Sequence, residues 1–231
     1  MIQIVNYLLA NFIRFISLLI LKVVPSLRLQ FSMIRIAIGN NKFDLKNIDQ
    51  NFICSLVLVE DKRFFKHCGI DIYAIFRACI KNIYSSRLEG ASTISQQLVR
   101  ILTNERCLSI KRKLKEIMFA TMLNGEFNKE TILSAYLSLY AFRNCIGIIA
   151  FCILENYDIP SLSTIEIAQI IARFKYPSIT GTNYIRYLKR VRIIEKKILM
   201  HNKVSIDQIQ FSVFNSIENT FVKSDSKILI N

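Results

Sequence analysis

The chain has 231 residues, enough for one sizeable buried core and an additional segment. Its 31 Lys and Arg residues outnumber 17 Asp and Glu residues, and the net charge of +14 favours a polyanionic partner such as nucleic acid, pyrophosphate or an anionic membrane surface. Because 52% of the residues are hydrophobic, the composition excludes a disordered chain and a simple basic tail.

The first predicted element is an apolar stretch at Ile4–Val24, about as long as the roughly 20 residues that a bilayer-spanning helix needs. Arg14 near its centre costs about 2.5–3.5 kcal/mol on insertion, which the surrounding Leu, Ile and Phe residues offset. No small-residue cleavage site follows, so we expect an uncleaved transmembrane anchor over residues 1–25, with an interfacial helix as the alternative. Basic residues after the stretch would, by the positive-inside rule, place the body in the cytoplasm.

The rest of the chain is predicted to be all-α, because helical apolar periodicity recurs without strand-like alternation. Turn-like clusters interrupt it at 61–69, 85–92 and 103–109. A helix capped by Asn128 runs to Leu139, and two more lie near Ser163–Phe174 and Tyr184–Met200. The six cysteines have no C-x-x-C pair and no metal-like spacing with the two histidines, so we expect isolated buried thiols and no metal site, although an oxidising compartment could pair some of them.

Three clusters lie in or beside these turns. Glu60 and Asp61 directly follow an apolar run, an environment in which a carboxylate suits the role of a general base. The alternative is that these residues cap a helix or lie at a solvated helix end. Thr93 and Gln96 have capping-box spacing, which predicts the start of a helix. The free backbone amides at such a start, with Ser92, Thr93 and Arg100, could bind a phosphate. The alternative is an ordinary helix cap.

In the third cluster, Arg112 and Glu116 are four residues apart, with Lys115 beside them. The cations could hold a diphosphate leaving group, or they could form a surface salt bridge of little energetic value. Spacing alone does not choose between these two interpretations.

Together, in this order, the clusters resemble the glycosyltransferase family 51 domain of penicillin-binding proteins and monofunctional peptidoglycan transglycosylases. The motif E-D-x-x-F-x-x-H-x-G is met by Glu60, Asp61, Phe64, His67 and Gly69. The motif G-x-S-T-I-x-Q-Q is met by Gly90, Ser92, Thr93, Ile94, Gln96 and Gln97, and R-K-x-x-E by Arg112, Lys113 and Glu116. The resemblance extends from about Phe52 to Met200 and includes a K-x-x-I-L-x-x-Y-L-N-like segment from Lys129.

Some positions depart from the family pattern. The asparagine that ends the fourth motif is Ser138 here, and an asparagine expected after the second motif is Ile101. Ile149 stands where the family usually has glutamate. Altered substrate choice or weakened activity is therefore one reading of the sequence.

The resemblance implies polymerisation of lipid II. Glu60 would be the base that deprotonates the acceptor sugar 4-hydroxyl, which displaces undecaprenyl diphosphate with inversion, while Glu116 acts on the donor side. The remaining substrate-binding positions that it implies are Asp61, Arg63, Phe64, Arg77, Ser92, Thr93, Gln96, Gln97, Arg100, Arg112 and Lys115. No cofactor is required, and a divalent ion, Mg2+ or Mn2+, can assist at the diphosphate.

The resemblance also implies a lysozyme-like larger lobe with a smaller membrane-proximal jaw. We assign residues 26–202 to this glycosyltransferase domain and 203–231 to a C-terminal extension of unknown role. The expected location is the bacterial plasma membrane, single-pass, with the catalytic domain on the periplasmic or extracellular side, which overrides the charge rule. Expected partners are lipid II, the growing glycan strand, the membrane and cell-wall synthesis proteins, but no nucleic acid.

Other classes remain as alternatives. A non-catalytic homologue could bind lipid-linked sugars or scaffold a wall-synthesis complex, which the altered fourth motif and the basicity favour. Retention of Glu60 and Glu116 speaks against it, because a scaffold needs no poised base. A lysozyme-like hydrolase lacks evidence of the carboxylate spacing that hydrolysis needs, and a nucleic-acid protein lacks a recognisable module.

Overall fold

The computed structural model describes residues 2–84, 90–105, 107–142, 145–159, 161–177, 181 and 183–201, without the side chains of residues 2, 3, 141, 142, 145, 146 and 154. The predicted extension at 203–231 lies outside these residues. Within them the chain is all-α, as predicted, except for one short antiparallel hairpin. The elements are α1 Ile2–Val23, α2 Pro25–Gly39, α3 Gln50–Glu60, α4 Ile72–Tyr84, α5 Ile94–Thr103, α6 Ile110–Glu126, α7 Lys129–Leu139, β1 Ala141–Phe142, β2 Cys145–Ile146, α8 Ile148–Leu154, α9 Thr164–Arg173 and α10 183–201.

Two compact units make up the described chain. The first contains Met1–Asp49 and Glu60–Ser161, and the second contains Gln50–Val59 and the described part of Leu162–Asn231. The predicted division into a larger lobe and a jaw, and the predicted domain boundaries at 25 and 202, stay predictions.

Helix α1 contains Ile4–Val23, a stretch of 20 residues with a mean hydropathy of 1.9 that is long and apolar enough to cross a membrane. Most of its large apolar side chains are exposed, which suits contact with lipid. A single stripe is buried at helical spacing and consists of Asn6, Ala10, Ser17 and Leu21. This stripe faces the rest of the first unit, where α1 packs against α6 and α2.

Two polar residues of α1 have specific neighbours in the body. The side-chain carbonyl of Asn6 accepts a hydrogen bond of 3.0 Å from the backbone amide of Ile72, at the start of α4. The guanidinium of Arg14 lies directly over Gly125 on α6, since a Cβ added there would fall 2.3 Å from its central carbon. The charged residue in the apolar helix is therefore accommodated by a glycine.

The core of the first unit lies among α5, α6 and α7, which pack on one another. Leu98, Phe119, Leu123, Ile132 and Tyr136 are fully buried there. Helix α2 joins this core through Phe31, whose ring centroid lies 5.4 Å from that of Phe119. Packing among α5, α6 and α7 therefore restricts the positions of the polar side chains on these helices.

The described part of the second unit contains α3 up to Val59, α9 and α10. Helix α9 begins with a complete capping box, in which Ser163 and Glu166 bind one another's backbone amides. Helix α10 buries Tyr187, Val191 and Ile194, and α9 buries Ile171. These two helices match the two that the sequence predicts near Ser163–Phe174 and Tyr184–Met200.

The side chains of five of the six cysteines are described, and all five are free thiols. Only Cys152 is buried, where burial raises the pKa of its thiol to about 12. Cys79 and Cys107 are exposed. The expectation of unpaired cysteines thus holds for these five, but the expectation that the thiols are buried is wrong for Cys79 and Cys107.

Lys197 of α10 links two helices of the second unit. Its ammonium donates a hydrogen bond of 2.5 Å to the carbonyl of Leu58, in the last turn of α3, where helix carbonyls lack partners within the helix. We expect Lys197→Met to lower the free energy of unfolding by about 1 kcal/mol, because these carbonyls lose a charged donor. Thermal unfolding followed by circular dichroism measures this difference.

Lys196→Met is the matched control, since Lys196 is exposed one position earlier on the same helix. Equal melting temperatures for the two variants would show that the contact with α3 contributes nothing to stability.

Candidate functional site

Glu60 is the last residue of α3 and is half-buried. Its carboxylate accepts a hydrogen bond of 3.3 Å from the side-chain amide of Gln97 on α5. The carbonyl oxygen of that amide accepts a 2.9 Å hydrogen bond from the hydroxyl of Tyr136 on α7. Because the amide is held at both ends, Gln97 fixes the direction in which the carboxylate faces.

Asp61, the neighbour of Glu60, is buried and faces the protein interior. Its carboxylate binds Nε2 of His67 at 3.0 Å and accepts a 3.0 Å hydrogen bond from the backbone amide of Ile94. The other ring nitrogen of His67, Nδ1, accepts a hydrogen bond from the amide of Gly69. Asp61 and His67 therefore connect the first motif to the start of α5.

Helix α5 begins at Ile94, with Thr93 as its N-cap. The hydroxyl of Thr93 accepts a hydrogen bond from the amide of Gln96 and donates one of 2.8 Å to the carbonyl of Gly69. The amides of Ile94 and Gln96 are therefore already bonded within the protein. The phosphate seat expected from free amides at this helix start is not offered by these two groups.

Glu116 on α6 is almost fully buried and lies among three cations. Its carboxylate accepts hydrogen bonds of 2.8 Å from Arg100, 2.9 Å from Arg112 and 3.1 Å from Lys113. Lys113 also donates to Ser92 at 2.9 Å and to Gln96 at 2.7 Å. The second and third motifs thus meet in one cluster, which we call the Glu116 cluster: Ser92, Gln96, Arg100, Arg112, Lys113 and Glu116.

Charges in the Glu116 cluster do not cancel. Burial would raise the pKa of Glu116, but the hydrogen bond from Arg100 and the charge of Lys113 outweigh it and hold the pKa below its usual value. Glu116 is therefore ionised at neutral pH, and three cations against one carboxylate leave an excess of two positive charges when all three are protonated. The side chains of Arg100 and Lys113 remain 37% and 38% exposed, so both can contact a ligand.

The two glutamates are bound by neighbouring positions of one helix. Gln97 contacts Glu60 and Arg100 contacts Glu116, and these two α5 residues are three apart, on the same side of the helix. The structure therefore brings Glu60 and the Glu116 cluster to a single face of α5.

Other residues predicted from the sequence have surroundings that differ from those of Glu60 and Glu116. Arg63 binds both oxygens of Asp71 and lies 4.2 Å from the ring centroid of Tyr73. Lys115 contacts Glu105 and Gln30 rather than Glu116. Arg77 lies half-buried on α4, and Phe64 is completely buried.

Three further residues belong to this region, although the sequence analysis names Lys113 and Lys129 only as motif positions and gives none of the three a role. Lys113 binds Glu116 through an i, i+3 contact, a spacing visible in the sequence. Tyr136 holds Gln97, and burial together with the charge of Glu60 raises its pKa. Lys129 lies 4.4 Å from the ring centroid of Phe64, and burial lowers its pKa to about 8. Lys129 and Tyr136 occupy fixed positions of the fourth motif, and these positions could have identified them from the sequence.

The altered end of the fourth motif also has partners. Ser138 donates a hydrogen bond of 2.8 Å to the side-chain carbonyl of Asn41, whose amide donates to Ser134 at 2.7 Å. An amide group is thus present beside position 138, supplied by a residue 97 positions earlier. The substitution at Ser138 therefore leaves no break in the hydrogen bonding of α7.

Comparison with known proteins adds independent findings. Residues 34–203 match the family model described as Transglycosylase. The chain is 34% identical to penicillin-binding protein 1A of Rickettsia typhi over 185 residues, 75% of this chain and 23% of that protein. It is 35% identical to penicillin-binding protein 1A of Clostridium botulinum over 172 residues, 68% of this chain and 21% of that protein. The chain spans about a quarter of the length of these relatives.

Glu116→Gln tests whether the carboxylate organises the cations. Because two of its three partners are more than a third exposed, we expect a loss of about 2 kcal/mol in the free energy of unfolding at pH 7 rather than the full cost of an uncompensated buried charge. The lowered pKa of Glu116 means that the carboxylate stabilises the fold above its usual pKa of 4.5, and this contribution is lost as pH falls through the lowered pKa. Denaturant unfolding from pH 7 to pH 3 should therefore show a smaller acid-side decline in the variant.

The control is Glu126→Gln, the same chemical change at an exposed position of α6. Should Glu116→Gln match this control in stability and in its pH profile, the cluster would not depend on the carboxylate.

Gly69→Ala tests the junction between the first motif and α6. Gly69 has φ +93°, and a Cβ there would lie 2.5 Å from the carbonyl oxygen of Ala120. Because backbone on both sides must move, we expect a loss of about 3 kcal/mol in the free energy of unfolding. Gly39→Ala is the control, since an added Cβ there meets no atom within 4 Å. A Gly69 variant as stable as this control would contradict the close approach to α6.

Proposed function

The chain belongs to the transglycosylase family, and from that premise we propose that it is a peptidoglycan glycosyltransferase that polymerises lipid II into glycan strands. The observation that carries the proposal is that one face of α5 binds both a half-buried carboxylate, Glu60, and a cluster with excess positive charge around Glu116. Transfer of a sugar from a diphosphate needs one base for the acceptor and cations for the leaving group.

Glu60 is the proposed general base. Its carboxylate takes the proton from the 4-hydroxyl of the acceptor sugar, and the oxygen forms a bond to the anomeric carbon of the donor. The bond from that carbon to the diphosphate breaks with its electron pair on the leaving group, undecaprenyl diphosphate, so the anomeric centre is inverted. Gln97 and Tyr136 keep the carboxylate in a fixed direction, which lowers the cost of positioning it for proton transfer.

The Glu116 cluster is the proposed site of the diphosphate. Charge develops on the leaving group as the glycosidic bond breaks, and the guanidinium of Arg100 and the ammonium of Lys113 can neutralise it. In this arrangement Glu116 does not exchange protons with the substrate. Its lowered pKa instead suits a fixed anion that aligns the three cations.

The residues of the Glu116 cluster bear on whether a divalent ion is held there. Among the described residues, no group of three His, Cys, Asp or Glu side chains could hold a metal ion. The one carboxylate of the cluster is bound by three cations, so the residues present do not fit a resident Mg2+ or Mn2+. We therefore assign stabilisation of the diphosphate to Arg100, Arg112 and Lys113.

Several residues that the resemblance places in substrate binding act instead as positioning residues in this proposal. Asp61, Phe64 and Thr93 are buried, and the polar groups of Asp61 and Thr93 bind His67, α5 and Gly69. Ser92, Gln96 and Gln97 lie closer to the proposed substrate, since they contact the cluster or the base directly.

For location, we propose a single-pass protein anchored by α1, with the body on the periplasmic or extracellular face of the plasma membrane. The apolar length of α1 supports the anchor. The outer side follows from the substrate, because the sugars of a growing wall strand lie outside the membrane. Cell-wall synthesis proteins are the proposed protein partners.

A non-catalytic homologue that binds lipid-linked sugars or scaffolds a wall-synthesis complex is the second candidate. The observation that favours it is the loss of family residues at Ser138 and Ile149. Because Ser138 is integrated with Asn41, that substitution alone does not imply a damaged site.

Glu60→Gln is the decisive variant for the proposed reaction. We expect polymer formation from lipid II to fall by about 100-fold or more, because the amide cannot accept the proton, while the circular dichroism spectrum stays unchanged. The assay follows labelled lipid II into polymer, with Glu126→Gln as the matched control.

Binding of lipid II is measured alongside turnover. Wild-type protein that binds lipid II but forms no polymer would support the non-catalytic candidate. A Glu60 variant with the wild-type rate would remove Glu60 from the role of base.

A further inference from the structure

Helix α10 presents two different faces. The face toward its own unit buries Tyr187, Val191, Ile194 and Ile198, which follow one another at spacings of four, three and four residues. The opposite face therefore points away from the core of the second unit.

The outward face combines large apolar side chains with cations. Its apolar members are each at least 39% exposed and are Ile185, Leu188, Ile193, Leu199 and Met200. Its cations are also exposed and are Arg186, Lys189, Arg192 and Lys196. None of these four cations is paired with an acidic residue in the part of the chain that the structure describes. The only acidic residue in 183–201, Glu195, lies at the flank of this face.

A shallow depression of about 250 Å3, open to solvent, lies on the same face. Arg192 and Lys196 line it together with Leu199 and Met200, and Glu195 contributes to one side. Cations beside aliphatic side chains form a binding environment for a group that is anionic at one end and apolar at the other.

We propose that the outward face of α10 lies on the headgroup region of an anionic phospholipid bilayer. The aliphatic side chains enter the boundary between headgroups and acyl chains, while the long Arg and Lys side chains reach the lipid phosphates. Charge complementarity favours this surface, since the face has four cations and the whole chain carries a net charge of +14. An anchor at α1 would also keep a bilayer at high effective concentration around the body.

The absence of tryptophan from the chain permits a direct test. Ile193→Trp places a single indole on the outward face, and the full-length protein is reconstituted into nanodiscs of phosphatidylcholine with or without phosphatidylglycerol. Lipids brominated on their acyl chains quench an indole that contacts them. Ile165→Trp is the matched control, because Ile165 is 39% exposed on α9 of the same unit.

We expect quenching of the indole introduced at position 193 in discs that contain brominated phosphatidylglycerol, and little quenching for the control. Adding Arg192→Glu and Lys196→Glu should lower the quenched fraction by roughly half or more, and so should 1 M salt, where the Debye length is about 3 Å. Circular dichroism confirms that each variant is folded.

Three results would overturn the proposal. The first is no quenching in either lipid, as expected if the face contacts water, an acidic protein, a second copy or residues 202–231. The second is equal quenching at positions 165 and 193, which would show that α10 is not the contact. The third is quenching that is insensitive to phosphatidylglycerol and to the two charge reversals.

Discussion

The buried carboxylate of Glu116 is the interaction on which the candidate site depends. It draws side chains from two helices to one point, because Arg100 belongs to α5 whereas Arg112 and Lys113 belong to α6. Without this anion, three cations would repel one another in a partly desolvated region. The carboxylate therefore offsets this repulsion, and it allows positive charge to collect on the face of α5 that also binds Glu60.

A second constraint fixes the position of Glu60 relative to that of Glu116. The carbonyl of Gly69 receives hydrogen bonds from Thr93 and Gln96, and the Cα of Gly69 lies against the backbone of α6. The loop after Glu60, the start of α5 and the middle of α6 are thus held at one junction. A motif comparison assigns Thr93 and Gln96 to substrate binding. At this junction their hydrogen bonds to Gly69 instead hold the helices at a fixed distance.

Local features of the fold could be read from the sequence because they depend on neighbours three or four residues apart. Thr93 and Asn128 cap their helices as the sequence predicts. Contacts between distant segments could not be read in this way. The i, i+3 spacing of Lys113 and Glu116 is visible in the sequence, but nothing there indicates that Lys115 contacts Glu105, because that contact depends on where the chain just after α5 lies. The same holds for Ser138 and Asn41, and for the β1–β2 hairpin, whose strands have only two residues each.

The contact between Arg14 and Gly125 has a mechanical consequence. Because the guanidinium occupies the space that a side chain on α6 would fill, rotation of α1 about its axis would move this charge away from the glycine and toward the side on which the apolar side chains of α1 are exposed. Helix α6 also carries Glu116. The orientation of α1 and the orientation of the cations that surround Glu116 are therefore linked through α6, so that a rotation of α1 is also felt at the cluster.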